Sequence, residues 1–391
     1  MRSFRDAPGI DCSRPVVQFI PALFQGDPVS QAIASPADSA PSKPTAHKNR
    51  LSAGFFRFIL GRFLLIIPTV FILVTIVFFV MRATGDPISA PMGGRLTPEE
   101  LQRRIHGAGY DRPLIVQYFD YLGGLLHGDL GRTLTDNQPV ISVLTRYGAA
   151  TLELALLSLV VALLVGIGFG RIAAKHRDRA QDAGIRMFAI LCYATPVFFL
   201  GLVLKLIFSV GLGVLPSSGR SSLQSEMQFS RLVSPTGLYI VDALQPGDMK
   251  VLGDVLMHAI LPALALGLLT AGVFIRLVRT NVISTYNAGY IEAARSRGVS
   301  EKRLMSKHAW RPALIPIITV MGMQIALLLA GAVLTETTFE WKGLGFMLSN
   351  YLKARDFVAV QGIVILIAII VSVVNFIVDV ISALIDPRVR Y

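Results

Sequence analysis

Hydrophobic positions along this chain gather into long blocks separated by polar stretches. The apolar runs cover residues 58–81, 149–169, 187–210, 256–274, 314–334 and 360–384. Each is close to the roughly 20 residues that a helix needs to cross the hydrocarbon core of a bilayer. Inside lipid every backbone N–H and C=O must be bonded within its own segment, so runs of this kind predict six membrane-spanning helices. The third run is interrupted at Pro196, where a helix loses a backbone donor and kinks. The second carries Gly166, Gly168 and Gly170, small positions at which a neighbouring helix can approach closely.

The polar stretches have their own patterns. In 82–148, Thr97 followed by Pro98, Glu99 and Glu100 predicts an N-cap and first turn for a helix over 97–106. Residues 114–126 are amphipathic, and Tyr118, Phe119 and Tyr121 suit a membrane interface. The stretch 276–316 is the most informative. Residues 290–297 favour helix, Gly298 suits a left-handed C-terminal cap, and Ser300 suits the start of a second helix reaching about Trp310. Pro312 then marks re-entry to the membrane. The prediction is a helix–glycine–helix hairpin near the membrane surface. Ala293 and Ala294 would let a partner come close to its backbone, Glu292 offers an acceptor, and Arg295 and Arg297 offer donors. Such a knob suits the transmission of a rigid-body movement. A plainer reading, a basic loop that fixes orientation or meets anionic lipid, remains open on spacing alone.

Composition agrees with the block pattern: 53% of residues are hydrophobic and mean hydropathy is +0.59, which excludes an ordinary solvated fold. The net charge of +12 would suggest nucleic acid were it spread evenly, and it is not. Residues 82–148 balance seven Arg against seven acids, whereas 276–311 set eight Lys and Arg against only Glu292 and Glu301. Because basic residues are retained on the cytoplasmic side, this loop, the 171–186 loop and both termini are expected in the cytoplasm. The charge is a topology signal. Residues 1–57, rich in Pro, Ser, Ala and Asp, read as a disordered cytoplasmic extension, and 386–391 as a cytoplasmic tail. The apolar stretch 16–24 is too short to span and lacks a cleavage pattern. Residues 82–148 read as extracytoplasmic and 149–385 as the core of the membrane region.

Chemistry within the chain is sparse. Cys12 and Cys192 form no CxxC pattern, and the six histidines are scattered, so no metal site is expected. No GxxxxGK[ST] phosphate loop, HExxH or nucleophile elbow occurs, so the chain is not expected to be an enzyme, and any ATPase is a separate polypeptide. Of the membrane-embedded polar residues, Glu153, Gln324 and Asn375 either line a substrate path or bridge helices, and Gln324 and Asn375 are placed to meet in the bundle core. Lys205 is expected to snorkel, His258 to be hydrogen-bonded near a helix start, and Asp379 to pair with a basic residue. Glu336, Glu340 and Trp341, at the outer mouth, are candidate contacts for an extracytoplasmic partner.

The run Glu292-Ala293-Ala294, followed three residues later by Gly298, resembles the EAA motif of ABC importer permeases. The likeness extends through Gly85-Asp86-Pro87, Asp111-Arg112-Pro113, Gly128-Asp129-Leu130-Gly131 and Thr151-Leu152-Glu153-Leu154. It continues through Thr195-Pro196-Val197-Phe198, Leu215-Pro216-Ser217-Ser218-Gly219, Glu336-Thr337-Thr338-Phe339 and Asp386-Pro387-Arg388. In this order the motifs resemble the first (B-type) permease subunit of the dipeptide, oligopeptide and nickel importers. The resemblance implies an all-α polytopic membrane protein with the six-helix type I importer fold, in a bacterial cytoplasmic (inner) membrane. It makes Tyr290, Glu292, Ala293, Ala294, Arg295, Arg297 and Gly298 the coupling helix that docks on an ATP-binding subunit. It also implies a second homologous permease, two ATP-binding cassette subunits that bind ATP and Mg, an extracytoplasmic substrate-binding protein, and no nucleic acid. Two features depart from the pattern: the extra N-terminal extension, and Pro312, which is expected to shorten the second coupling helix. The function implied is a path for di- and oligopeptides by alternating access, with a nickel-chelate or glutathione importer as the alternative. An ion-coupled secondary transporter would instead show paired mid-membrane acids and an internal repeat. A membrane enzyme would show a catalytic constellation.

Overall fold

The structure is a computed structural model that describes residues 53–83, 85, 88–89, 96–232 and 234–385. The expected disordered extension lies outside the described residues as far as residue 52, and the 386–391 tail does so entirely. Helices follow in the order α1 (Ala53–Ala83), α2 (Pro98–Gly107), α3 (Leu114–Leu126), α4 (Val140–Lys175) and α5 (Ala180–Ala194). Next come α6 (Val197–Leu204), which runs on as a π-helical turn (Lys205–Gly211), then α7 (Leu223–Phe229), α8 (Tyr239–Leu244) and α9 (Met249–Tyr286). The chain continues with α10 (Gly289–Ser296), α11 (Glu301–Arg303) and a π-helical turn (Leu304–Ala309) leading into α12 (Trp310–Phe339). It ends with α13 (Leu344–Lys353) and α14 (Phe357–Ile385). Among the described residues there is no β-strand, only an isolated bridge between Arg132 and Pro139.

Helices α1, α4, α9 and α14 are each long and apolar enough to cross a membrane, and the number reaches six when each of two bent pairs is counted as one span. The fold is therefore all-α and polytopic. The first bent pair corrects the third predicted span. Thr195 is extended (ψ 125°), since the residue before a proline is driven out of the helical region, and α5 and α6 meet at 109°. The second pair corrects the expected break at Pro312, because the helix runs through it. Missing proline donors at Pro312 and Pro316 are absorbed by the π-helical turn just before α12 and by a 42° bend.

Helix α9 also outruns its apolar block and stays helical to Tyr286, so Arg276 and Arg279 belong to a span and not to the loop. Arg279 is held there by Asp182 at the start of α5, with Nε to Oδ1 at 2.6 Å and Nη2 to Oδ2 at 2.7 Å. A bidentate pair of this kind lets a cation remain on a packed helix.

The centre of the bundle is the parallel contact of α4 and α9. A Cβ built on Gly166 would lie 2.4 Å from Phe274 Cβ, and one on Gly170 would lie 2.6 Å from Val278 Cβ, one turn further along both helices. Gly267 returns the fit, since its Cβ would fall 2.7 Å from the Ser158 carbonyl. Small residues four apart thus let the two backbones close up, as the sequence suggested for Gly166 and Gly170. Gly168 points to open space. One core joins α4, α9 and α12 through Leu154, Leu266 and Leu328, and another joins the start of α4 to α13 and α14 through Val140, Leu344 and Ile363. Helix α1 packs on α14, where Arg62 pairs with Asp379 at 3.3 Å as expected, and Phe63 meets Phe376. Tyr118 and Tyr121 of α3 pack on Phe78 of α1, leaving Phe119 as the outward aromatic.

Gly166→Ala is expected to destabilise the bundle by about 1–3 kcal/mol through overpacking against Phe274. Gly168→Ala is expected to leave thermal unfolding of the solubilised protein unchanged. Equal shifts for the two would contradict this packing.

Candidate functional site

The loop between α9 and α12 is built as a pinned hairpin. Helix α10 ends in a Schellman arrangement: Gly298 N–H donates to the Arg295 carbonyl (2.9 Å) and Val299 N–H to the Ala294 carbonyl (3.3 Å). Gly298 supplies the left-handed conformation this needs (φ +81°). Ser300 stands at the N-cap of α11 with its backbone carbonyl accepting from Arg303 and Leu304, but its hydroxyl makes no cap bond. Beneath the hairpin, Ile291, Leu304 and Ala309 are buried together, with Tyr286, Ala294 and Val299 packed around them.

One polar knot ties three elements. Arg295 Nε donates to Glu301 Oε1 at 2.6 Å, and the Tyr286 hydroxyl donates to Glu301 Oε2 in a short hydrogen bond. Arg295 and the Tyr286 hydroxyl hold the Glu301 carboxyl below the usual carboxylate range. The knot therefore stays charged at neutral pH and weakens only as acid protonates Glu301. The end of α9, the body of α10 and the start of α11 are linked in this way. The outer face of α10 is left free: Tyr290, Glu292, Ala293, Arg297 and Gly298 are exposed. Ala294 turns partly inward, and Arg295 is committed to the knot. Close by, the Arg171 guanidinium at the end of α4 lies 4.4 Å from the centre of the Trp310 ring, so α4 also meets the hairpin's return arm.

At the opposite end of the bundle the acids are buried and occupied. Glu153 (4% exposed) accepts from Arg220 Nη2 at 2.5 Å and from Ile240 N–H at 2.8 Å. Arg220 in turn lies over the Tyr239 ring and donates to the Gly237 carbonyl. Both oxygens of Glu153 thus fasten the 211–248 segment to α4. Of the two readings open for Glu153, these bonds match the bridge between segments and not the path residue. Glu336 is fully buried and accepts from the Thr151 hydroxyl (2.6 Å) and Phe346 N–H (2.9 Å), while Trp341 Nε1–H donates to the Ala150 carbonyl (2.9 Å). Glu336 and Trp341 therefore lie where a binding protein could touch neither. Only Glu340 of that trio is exposed, at the left-handed cap of α12.

The remaining candidates are placed as follows. Lys205 donates to the Thr338 carbonyl (2.9 Å), and His258 Nδ1 lies 2.8 Å from the Asp254 carbonyl oxygen. Gln324 is buried beside a cavity of about 430 Å³, whereas Asn375 is on the exposed face of α14 and does not line that cavity. The two do not meet as expected. Among the described residues no cluster of three His, Cys, Asp or Glu could hold a metal. Sequence reasoning missed Tyr286, Ile291, Thr151 and Arg220. Their roles depend on partners that only folding brings near, although the short spacing of Arg295 and Glu301 was a readable signal.

Residues 166–391 match the Binding-protein-dependent transport system inner membrane component, and residues 55–155 match the corresponding N-terminal model. The chain belongs to this family of ABC importer permeases. The Di/tripeptide transport system permease protein DppB of Pseudomonas aeruginosa (strain UCBPP-PA14) is 38% identical over 85% of this chain and 98% of its own length. The Glutathione transport system permease protein GsiC of Escherichia coli O6:H1 is 32% identical over 85% of this chain and 99% of its own. Among solved structures, a chain of the inward-facing MetNI methionine ABC transporter gives a TM-score of 0.48 at 15% identity, over 63% of this permease and 97% of that chain. By family the permease is a transport component.

Gly298→Ala is expected to strain the hairpin by about 1–2 kcal/mol, the left-handed penalty for an L-residue. Nothing lies within 4 Å of the added Cβ, so a clash plays no part. Hydrogen–deuterium exchange checks this: amides of 289–299 should exchange faster, with those of α9 unchanged.

Proposed function

We propose that this permease forms the membrane path of an ATP-driven importer of di- and oligopeptides, in a bacterial cytoplasmic membrane. It works beside a second, homologous permease, and an extracytoplasmic binding protein delivers the peptide to the end that carries Glu340. Two ATP-binding subunits, which hold ATP and Mg, grip the α10 hairpins. Both termini and the 287–309 hairpin face the cytoplasm, in keeping with the excess of Lys and Arg there.

The observation that carries this reading is the exposed face of a rigid α10 on a chain of the binding-protein-dependent family. Closure of the ATP-binding subunits pushes on Glu292, Ala293 and Arg297. Because Arg295, Glu301 and Tyr286 join α10 to α9 and to α11, which leads through the π-helical turn into α12, the push reaches two spans together. Packed helices respond as bodies, which suits rocking between inward- and outward-open arrangements. The relatives that handle di/tripeptides and glutathione support a peptide cargo, and glutathione is itself a small peptide.

In the assembled transporter, Glu292→Ala combined with Ala293→Trp should cut peptide uptake by roughly tenfold or more, as expected when docking weakens by about 1.4 kcal/mol. Less ATP-binding subunit should co-purify with the variant permease. Normal uptake and normal co-purification would refute docking at α10. Competition by unlabelled di- and tripeptides against a nickel chelate decides the cargo.

A further inference from the structure

Two cavities lie along the faces of α5, α9 and α12, about 430 Å³ and about 210 Å³ in volume, and both are lined by Tyr193, Val273 and Arg276. The larger also takes in Thr270 and Gln324. Arg276 is exposed and makes no ion pair or hydrogen bond among the described residues. The nearby acid is already used: Asp182 faces Arg279 at 2.6 Å and Arg186 at 3.7 Å. Gln324 is 9% exposed and Thr270 4%, and neither side chain has a hydrogen-bond partner among the described residues. A cation in a membrane helix marks a functional surface when it faces a cavity, and the Gln324 amide lines the same cavity as Arg276. Here both face the same space, one turn from the apolar core of α9. A lipid phosphate would account for the arginine and leave the Gln324 amide without a partner.

We propose that these cavities are this permease's share of the translocation path, in which Arg276 takes the C-terminal carboxylate of the passing peptide. Gln324 and Thr270 hydrogen-bond the peptide's amide groups as it moves past Tyr193. The arrangement pairs one cation with a short row of neutral donors and acceptors, which suits a small substrate with a free carboxylate and varied side chains. A guanidinium is the side chain best matched to a carboxylate, and it needs no sequence information from the peptide. The proposal rests on the peptide-importer reading and adds a site to it.

The test uses the complete transporter in proteoliposomes, with its binding protein and a mixture of radiolabelled di- and tripeptides, counting peptide moved and ATP hydrolysed together. Arg276→Gln and Gln324→Leu should each lower peptide moved per ATP by about tenfold, the effect of losing one strong polar contact in the path. Arg276→Lys should recover part of the loss. An unchanged ratio in both Arg276→Gln and Gln324→Leu overturns the site, even if uptake and hydrolysis fall in step. Should Arg276→Gln fail to assemble, Gln324→Leu decides by the same ratio. A wild-type transporter that moves none of the peptides overturns the peptide reading, and the site with it. Wild-type transport with indifferent variants overturns the site alone.

Discussion

The bundle depends on how closely α4 and α9 approach. Gly166 and Gly170 remove the side chains that would collide with Phe274 and Val278, and Gly267 does the same toward Ser158. Between helices in lipid there is little hydrophobic gain, so contact must come from close packing and from satisfied polar groups. With that contact made, α4 and α9 form a spine against which α5, α12 and, through the start of α4, α13 and α14 are arranged. The direction of the spine also matters. Both helices end in the basic loops, so whatever moves the hairpin at Tyr286 moves the spine itself.

The two ends of the spine are built on different principles. At the end bearing Glu153 and Glu336, buried carboxylates accept from backbone N–H groups of the connecting segments, and Thr151 serves both Glu336 and Leu344. Removing Arg220 would leave the Glu153 carboxylate buried without its counter-charge, and these bonds fix the segments to the bundle. At the basic end, the carboxylate in the knot is exposed and its partners hold a surface hairpin in shape. One fixed end and, opposite it, a shaped and accessible one suit a body that is pushed from one side.

Much of this was legible in the residues. Helix α3 has the bounds that its amphipathic pattern predicts, Thr97 caps α2 with its side chain accepting from Glu100 N–H, and Gly298 takes the left-handed cap. What escaped depended on long-range pairing. Arg276 and Arg279 look like loop residues because hydropathy falls there, yet Asp182, 97 residues away in sequence, keeps Arg279 on the helix. Glu336 and Trp341 look like an exposed polar mouth, but a hydroxyl from α4 and a backbone carbonyl draw them inside. Pro312 looks like a break, and the π-helical turn before it absorbs the lost donor. Local chemistry predicts caps and turns; it does not reveal which distant partner a charge will find.

The central claim is that the free face of α10 receives the ATP-binding subunit. Cross-linking in the assembled transporter tests it most directly, with Ala293→Cys placed in a background where Cys12 and Cys192 are replaced by Ser. The account predicts a cross-link from position 293 to an ATP-binding subunit, and arrest of uptake when the link forms. A transporter that imports normally, never cross-links from 293, and instead cross-links to that subunit from Glu340→Cys would contradict it.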